Sequence, residues 1–175
     1  MKTRFKLYCV IVILTANAAN AQPNPHDKIV KFCESHSGEM VGSGECSDLA
    51  TEALKYAAAI PHKNYKPSPG EGDYVWGTLV YTVEANSVTD VKNQKIQPGD
   101  ILQLRDVRFE GKDLRGHKTY YATYAHHTAV VVGVEGDMLK VLEQNVGGKK
   151  IVVEAPYRLS DLKTGWVRVY RPIFR

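Results

Sequence analysis

The apolar residues of this chain change their spacing once, near residue 78, and that change fixes the kind of fold available to it. Before it they recur every three or four positions. Ile29, Phe32, Cys33, His36 and Met40 predict a helix over 27–40 with Asp27 as its cap. Leu49, Ala50, Ala53, Leu54, Ala57 and Ile60 make one stripe of a second helix over 45–60, stopped by Pro61. Beyond residue 78 the period is two. Strands are expected over 79–83, 101–104, 127–134, 138–146, 150–154 and 166–170, with turns at Gln97-Pro98-Gly99-Asp100, Glu135-Gly136-Asp137 and Gly147-Gly148. Residues 61–77 and 105–125 read as long loops. Helices followed by hairpins give an α+β domain, its N-terminal helices packed on a mostly antiparallel sheet.

The first 21 residues stand apart from that pattern. Lys2, Arg4 and Lys6 precede the apolar run Leu7–Leu14, and Ala19-Asn20-Ala21 supplies small residues before Gln22. This is the order of a secretory signal peptide, and the run is far short of the roughly 20 residues a membrane span needs. The expectation is a leader over 1–21 and one domain over 22–175, exported to the periplasm or the extracellular space without stable membrane insertion. The three cations are the leader's only charges, so their loss takes the formal charge from +4 to +1. A nearly neutral domain is not expected to bind nucleic acid. Lys149, Lys150, Arg168, Arg171 and Arg175 read instead as a solvated face.

Two cysteines remain, thirteen positions apart. Cys33 lies on the apolar side of its helix, as an inert buried thiol does. Cys46 follows a glycine-containing turn and enters the first turn of the second helix. The amides and dipole there favour a thiolate, and the glycines leave room for a substrate backbone. A Cys33–Cys46 disulfide is the competing reading in an oxidising compartment. A thiolate nucleophile needs a base, and His126-His127 opens the apolar strand Thr128-Ala129-Val130-Val131. Adjacent strand residues face opposite ways, so at most one of the pair can easily face Cys46, and His127 shares its face with Ala129 and Val131. Across the hairpin, Glu143 and Asn145 are expected on one face as polar orienters. Nucleophile, base and orienter then come from a helix start and two neighbouring strands. The zinc spacings are absent, as are a phosphate-binding loop and a dinucleotide fingerprint, so neither metal nor cofactor is expected. Trp76, Tyr81, Tyr120, Tyr121 and Tyr124 are candidates for a ligand groove or for the core.

Gly44-Glu45-Cys46, Pro98-Gly99-Asp100-Ile101, His127-Thr128-Ala129-Val130-Val131 and Glu143-Gln144-Asn145 fall in an order that resembles the papain-like superfamily containing CHAP and NlpC/P60 proteins. Over roughly residues 41–172 the chain is more similar to the cysteine-proteinase-like C-terminal domain of fungal SH3-containing adaptor proteins and its stand-alone bacterial relatives. That likeness rests also on Tyr74-Val75-Trp76-Gly77, Gln144-Asn145-Val146-Gly147 and Tyr170-Arg171-Pro172. The resemblance implies a papain-like fold with Cys46 as nucleophile, His127 as base, and Glu143 or Asn145 as orienter. His126 occupies the place of the usual glycine, so it competes with His127 for the base. The implied activity is cleavage of amide bonds in a peptide or peptidoglycan-like substrate. A non-catalytic peptide- or wall-binding module, and a thiol-dependent acyltransferase or deamidase, are the alternatives. The backbone amide of Cys46 and the Gln144 side chain are the candidate oxyanion donors.

Overall fold

The computed structural model describes residues 24–65, 74–85, 87–90, 95–112 and 117–175. The signal-peptide reading over 1–21 and part of the 61–77 loop lie outside these residues. Two helices come first. Helix α1, Pro25–Ser35, is capped by the Asn24 side chain, which accepts from the His26 amide at 3.1 Å, with proline in the first turn. Asn24 therefore takes the capping place expected of Asp27, and the helix ends before Met40, whose side chain is exposed. Helix α2, Cys46–Tyr56, begins at the cysteine itself. It stops four residues before Ile60 because Ala58 turns to φ 58° and the Ala59 amide bonds back to the Leu54 carbonyl.

Seven strands follow: β1 Thr78–Glu84, β2 Ser87–Asp90, β3 Ile101–Lys112, β4 Lys118–Glu135, β5 Met138–Glu143, β6 Val153–Arg158 and β7 Leu162–Arg171. They form one sheet in the order β2-β1-β7-β3-β4-β5-β6, each neighbouring pair antiparallel. The expected α+β layout is what the chain adopts. The expected loop over 105–125 is largely two long strands. Val107 and Phe109 on β3, and Tyr120, Ala122 and Tyr124 on β4, continue the alternation and pack on one core face. Near Arg105–Val107 and Tyr124–His127 both strands skip one residue on that face, and Asp106 there takes φ 50°. The skip sets Tyr124 and His127 on the same side although they are three positions apart.

Each face of the sheet is buried. One covers the helices: Ile101, Val130, Leu142 and Tyr170 meet Ile29, Cys33, Leu49, Ala53 and Leu54. The other carries their strand neighbours Leu102, Ala129, Val141 and Val169, with Phe109 and Tyr157, and its buried residues all come from strands. Phe109 on β3 and Tyr157 on β6 have ring centroids 5.0 Å apart with two strands between them in the sheet order. A flat sheet would separate such strands by about 14 Å at the usual strand spacing. The sheet therefore curls onto itself, and the curl brings the side chains of β6 toward those of β3.

Candidate functional site

The Cys46 thiol is positioned by a turn held from two directions. Gly42 and Gly44 have positive φ (61° and 85°), and a side chain on either would run into Asp48 or Lys150. Asp48 Oδ2 accepts from the Ser43 amide at 2.8 Å, the Ser43 hydroxyl at 2.8 Å and the Glu45 amide at 3.2 Å. Burial would raise the Asp48 pKa, but these donors outweigh it and hold the carboxyl below its usual range. Gln144, fully buried, reaches in from the end of β5. Its Oε1 accepts from the Val41 amide at 2.8 Å, and its Nε2 donates to the Val41 carbonyl at 3.0 Å and the Glu45 carbonyl at 2.9 Å. Both amide hydrogens are thus committed to the backbone. Gln144 is a clamp on the cysteine turn, and the expectation that it donates to an oxyanion is corrected.

The structure brings together three of the four predicted side chains. His127 Nε2 lies 3.0 Å from Glu143 Oε2, and Cys46 is near enough to act on the imidazole. His127 is 2% exposed and Glu143 1%. Desolvation of the imidazole would lower its pKa, yet the hydrogen bonds and charges of Cys46 and Glu143 overcome it and raise it to about 9. A buried ion pair needs its remaining lone pairs satisfied. Here Tyr157 donates to Glu143 Oε2 at 2.8 Å and Tyr124 to Oε1 at 3.3 Å, the two hydroxyls standing 3.1 Å apart. The Tyr124 ring also stacks on His127, centroids 4.0 Å apart and nearly parallel. Pairing of Ala129 with Glu143 across β4 and β5 sets this register.

Asn145 lies elsewhere. β5 ends at Glu143, and Asn145 turns to φ 66°, so the two do not share a face. Its Nδ2 donates instead to Glu45 Oε2 at 3.1 Å, beside the Lys150–Glu45 pair at 3.0 Å. His126 points away from His127, is exposed, and packs its ring against Tyr74. Cys33 and Cys46 are both free thiols, and burial in the helical core raises the Cys33 pKa. Of the basic residues read as a solvated face, Lys150 holds Glu45, and Arg171 makes two bonds to the fully buried Asp100, at 3.0 and 2.9 Å. Trp76 is core, donating to Gln103 Oε1 at 2.9 Å. Gln103 in turn donates to the His127 carbonyl at 3.1 Å. Among the described residues no cluster of three histidine, cysteine or acidic side chains is arranged to hold a metal. No described helix is long and apolar enough to cross a membrane.

Sequence reasoning missed Tyr157 altogether and took Tyr124 for a groove or core residue. The available signal was the buried carboxylate: Glu143 within Val141-Leu142-Glu143 demands donors beyond one histidine.

Comparison with known proteins places this geometry in context. The chain is 32% identical over 152 residues to altered inheritance of mitochondria protein 3 of Debaryomyces hansenii, covering 83% of this chain. It is 29% identical over 151 residues to SH3 domain-containing protein C23A1.17 of Schizosaccharomyces pombe, covering 84%. It spans only 15% and 9% of the length of those two proteins. Among solved structures it is similar to Ly7917, also determined with the hydrolyzing product of MDP, at a TM-score of 0.46 and 19% identity. That match covers 84% of this chain and 62% of the other. The family model described as the AIM3/BBC1 cysteine proteinase-fold domain matches residues 20–175, and the chain belongs to that family.

Proposed function

We propose that the domain is a cysteine amidohydrolase or peptidase of papain-like architecture, with Cys46 as nucleophile, His127 as base and Glu143 as orienter. The supporting observation is the buried His127–Glu143 pair set beside the half-buried Cys46 thiol at a helix start, with Cys46 and Glu143 both raising the pKa of the imidazole. In this reading His127 takes the Cys46 proton and the sulfur attacks an amide carbonyl, forming a C–S bond. The amide of Cys46 faces the oxyanion at the positive end of α2. His127 returns the proton to the leaving nitrogen as the C–N bond breaks. Water then gives its proton to His127, attacks the thioester and releases the acid, and the proton returns to the sulfur. Asn145 has no part in this line. The substrate class is a peptide or a peptidoglycan-like peptide. With the leader expected over 1–21, the site works outside the cytoplasm.

A second reading keeps the fold as a non-catalytic peptide-binding module. It is supported by the enclosure of the base: His127 is 2% exposed and covered on one ring face by Tyr124. One experiment separates the readings. The protein and its Cys46→Ala variant are incubated with a mixture of peptides and muropeptides, and products are read by mass spectrometry. Cys46-dependent products carrying one added water support hydrolysis. An amide converted to an acid without chain cleavage, or an acyl group moved to an amine, indicates the deamidase or acyltransferase alternative. Retention of a peptide by both proteins with no product makes it a binding module.

A further inference from the structure

We propose that Tyr157 is a positioning residue for His127, acting through Glu143: its buried hydroxyl keeps the proton of the His127–Glu143 pair on the imidazole. The inference rests on the proposed roles of Cys46 and His127, but its readouts need no substrate.

Glu143 is 1% exposed, so as an anion it depends on donors from the protein. Three groups supply them: His127 Nε2 at 3.0 Å, Tyr157 at 2.8 Å and Tyr124 at 3.3 Å. The first two converge on the same oxygen, Oε2. Each hydroxyl has one proton. Tyr157 has two acceptors in reach, Glu143 Oε2 at 2.8 Å and the Tyr124 oxygen at 3.1 Å, and the shorter bond is the one to the carboxylate, while Tyr124 donates to Oε1 at 3.3 Å. Tyr157 therefore makes the shorter donation to the carboxylate, on the oxygen that faces His127, and Tyr124 the longer one. Donors to a carboxylate favour its charged form. Without the Tyr157 hydroxyl, the buried pair is relieved by moving the proton from Nε2 to Glu143, which leaves a neutral imidazole beside Cys46. The groups facing His127 are Cys46 on α2, Glu143 on β5 and Tyr124 beside it on β4, and Tyr157 on β6 reaches it through Glu143. Tyr157 stands on β6, the strand paired with β5, and the curl of the sheet packs its ring on Phe109.

The test is Tyr157→Phe, which keeps the ring and removes one oxygen. Nitrogen-15 spectra of His127 at neutral pH are expected to show both ring nitrogens protonated in the parent protein and Nε2 unprotonated in the variant. Alkylation of Cys46 by iodoacetamide is expected to slow by about tenfold, the effect of about 1.4 kcal/mol. Tyr124→Phe is expected to leave the Nε2 signal in place. An unchanged Nε2 signal and alkylation rate in Tyr157→Phe, with only a lower melting temperature, would overturn the proposal. If Tyr157→Phe does not fold, 3-fluorotyrosine at 157 retains ring and donor. Its fluorine resonance is then expected to follow the titration of His127 near pH 9, and a resonance blind to it overturns the proposal. Absence of hydrolysis alongside the expected Tyr157 effects would refute the peptidase reading and leave this one standing.

Discussion

Replacing Gln144 by alanine should cost stability and Cys46 reactivity together. The side chain makes three bonds to the backbone of the cysteine turn: 2.8 Å from the Val41 amide, 3.0 Å to its carbonyl and 2.9 Å to the Glu45 carbonyl. Val41 is 5% exposed, so its amide and carbonyl cannot simply turn to water. Each buried group left unpaired costs about 1–3 kcal/mol. The Glu45 carbonyl keeps a second partner, the Asp48 amide at 3.1 Å, and loses less. Allowing water to enter the space left by the amide, the loss comes to about 2–5 kcal/mol. Urea unfolding should show a lower midpoint with unchanged slope, which marks a change in stability alone. Because the same bonds fix residues 41–45 ahead of Cys46, alkylation of the native variant should slow as well. Gln144→Met, which fills the space and leaves the Val41 groups orphaned, should behave similarly. A loss below about 1 kcal/mol, within the range of an ordinary surface substitution, would refute the clamp. A stable variant that had lost only turnover would instead restore Gln144 as an oxyanion donor.

The folded pKa of His127, about 9, lies above its unfolded value of 6.5. Its stabilisation is then fully present below pH 6.5 and is lost as pH rises through 9. The difference in urea midpoint between the parent and His127→Gln should shrink over that interval. Asp48 has the opposite sign, its folded pKa being depressed below 3.8. Its contribution is present above that value and lost as pH falls through the folded pKa, so Asp48→Asn should flatten the acid limb of the stability curve. At neutral pH the variant should lose about 0.5–2 kcal/mol, the usual worth of a helix-start side-chain bond, measured by the same unfolding. Asn145→Gly should fold without loss of Cys46 alkylation, since glycine accepts a φ of 66° without strain. In the native protein iodoacetamide should label Cys46 and spare Cys33, which becomes reactive only on unfolding, as peptide mapping would show.

What could be read from the residues follows from the range over which each signal acts. The switch from period 3.6 to period 2 is local, and it located both helices and the class of the fold. The helix start at Cys46 was legible because glycines and an apolar stripe coincide within a dozen positions. The failures came where local pattern is overruled by distant partners. Glu143 and Asn145, two apart, looked like one face; the strand ends at Glu143, and Asn145 itself turns left-handed and bonds to Glu45. Asp106 and the skipped residues opposite it shifted the inward face of β3 and β4, so simple alternation could not put Tyr124 against His127. Tyr157 is fourteen positions from Glu143 and reaches it from the neighbouring strand, which no short window reports.

These misses share a cause that bears on the chemistry. The groups named from sequence, Cys46, His127 and Glu143, are those that would handle protons and the acyl group. The groups overlooked, Tyr157 and Asp48, and Gln144, which was given another part, only hold them in place, and each does so by satisfying a polar group that folding has buried or constrained. A buried carboxylate or a positive-φ turn creates a demand for donors that must be met somewhere in the chain, and the demand is visible in sequence even when the supplier is not. A mutational scan ordered by that demand should therefore begin with the polar side chains inside β5, β6 and the 41–48 turn before the exposed aromatics. Its strongest effects on Cys46 alkylation are expected at Gln144 and Tyr157, and weak ones at Tyr121, which is 56% exposed. A scan in which Tyr121 outweighed Tyr157 would mean that the surface, and not the buried line of donors, governs the thiol.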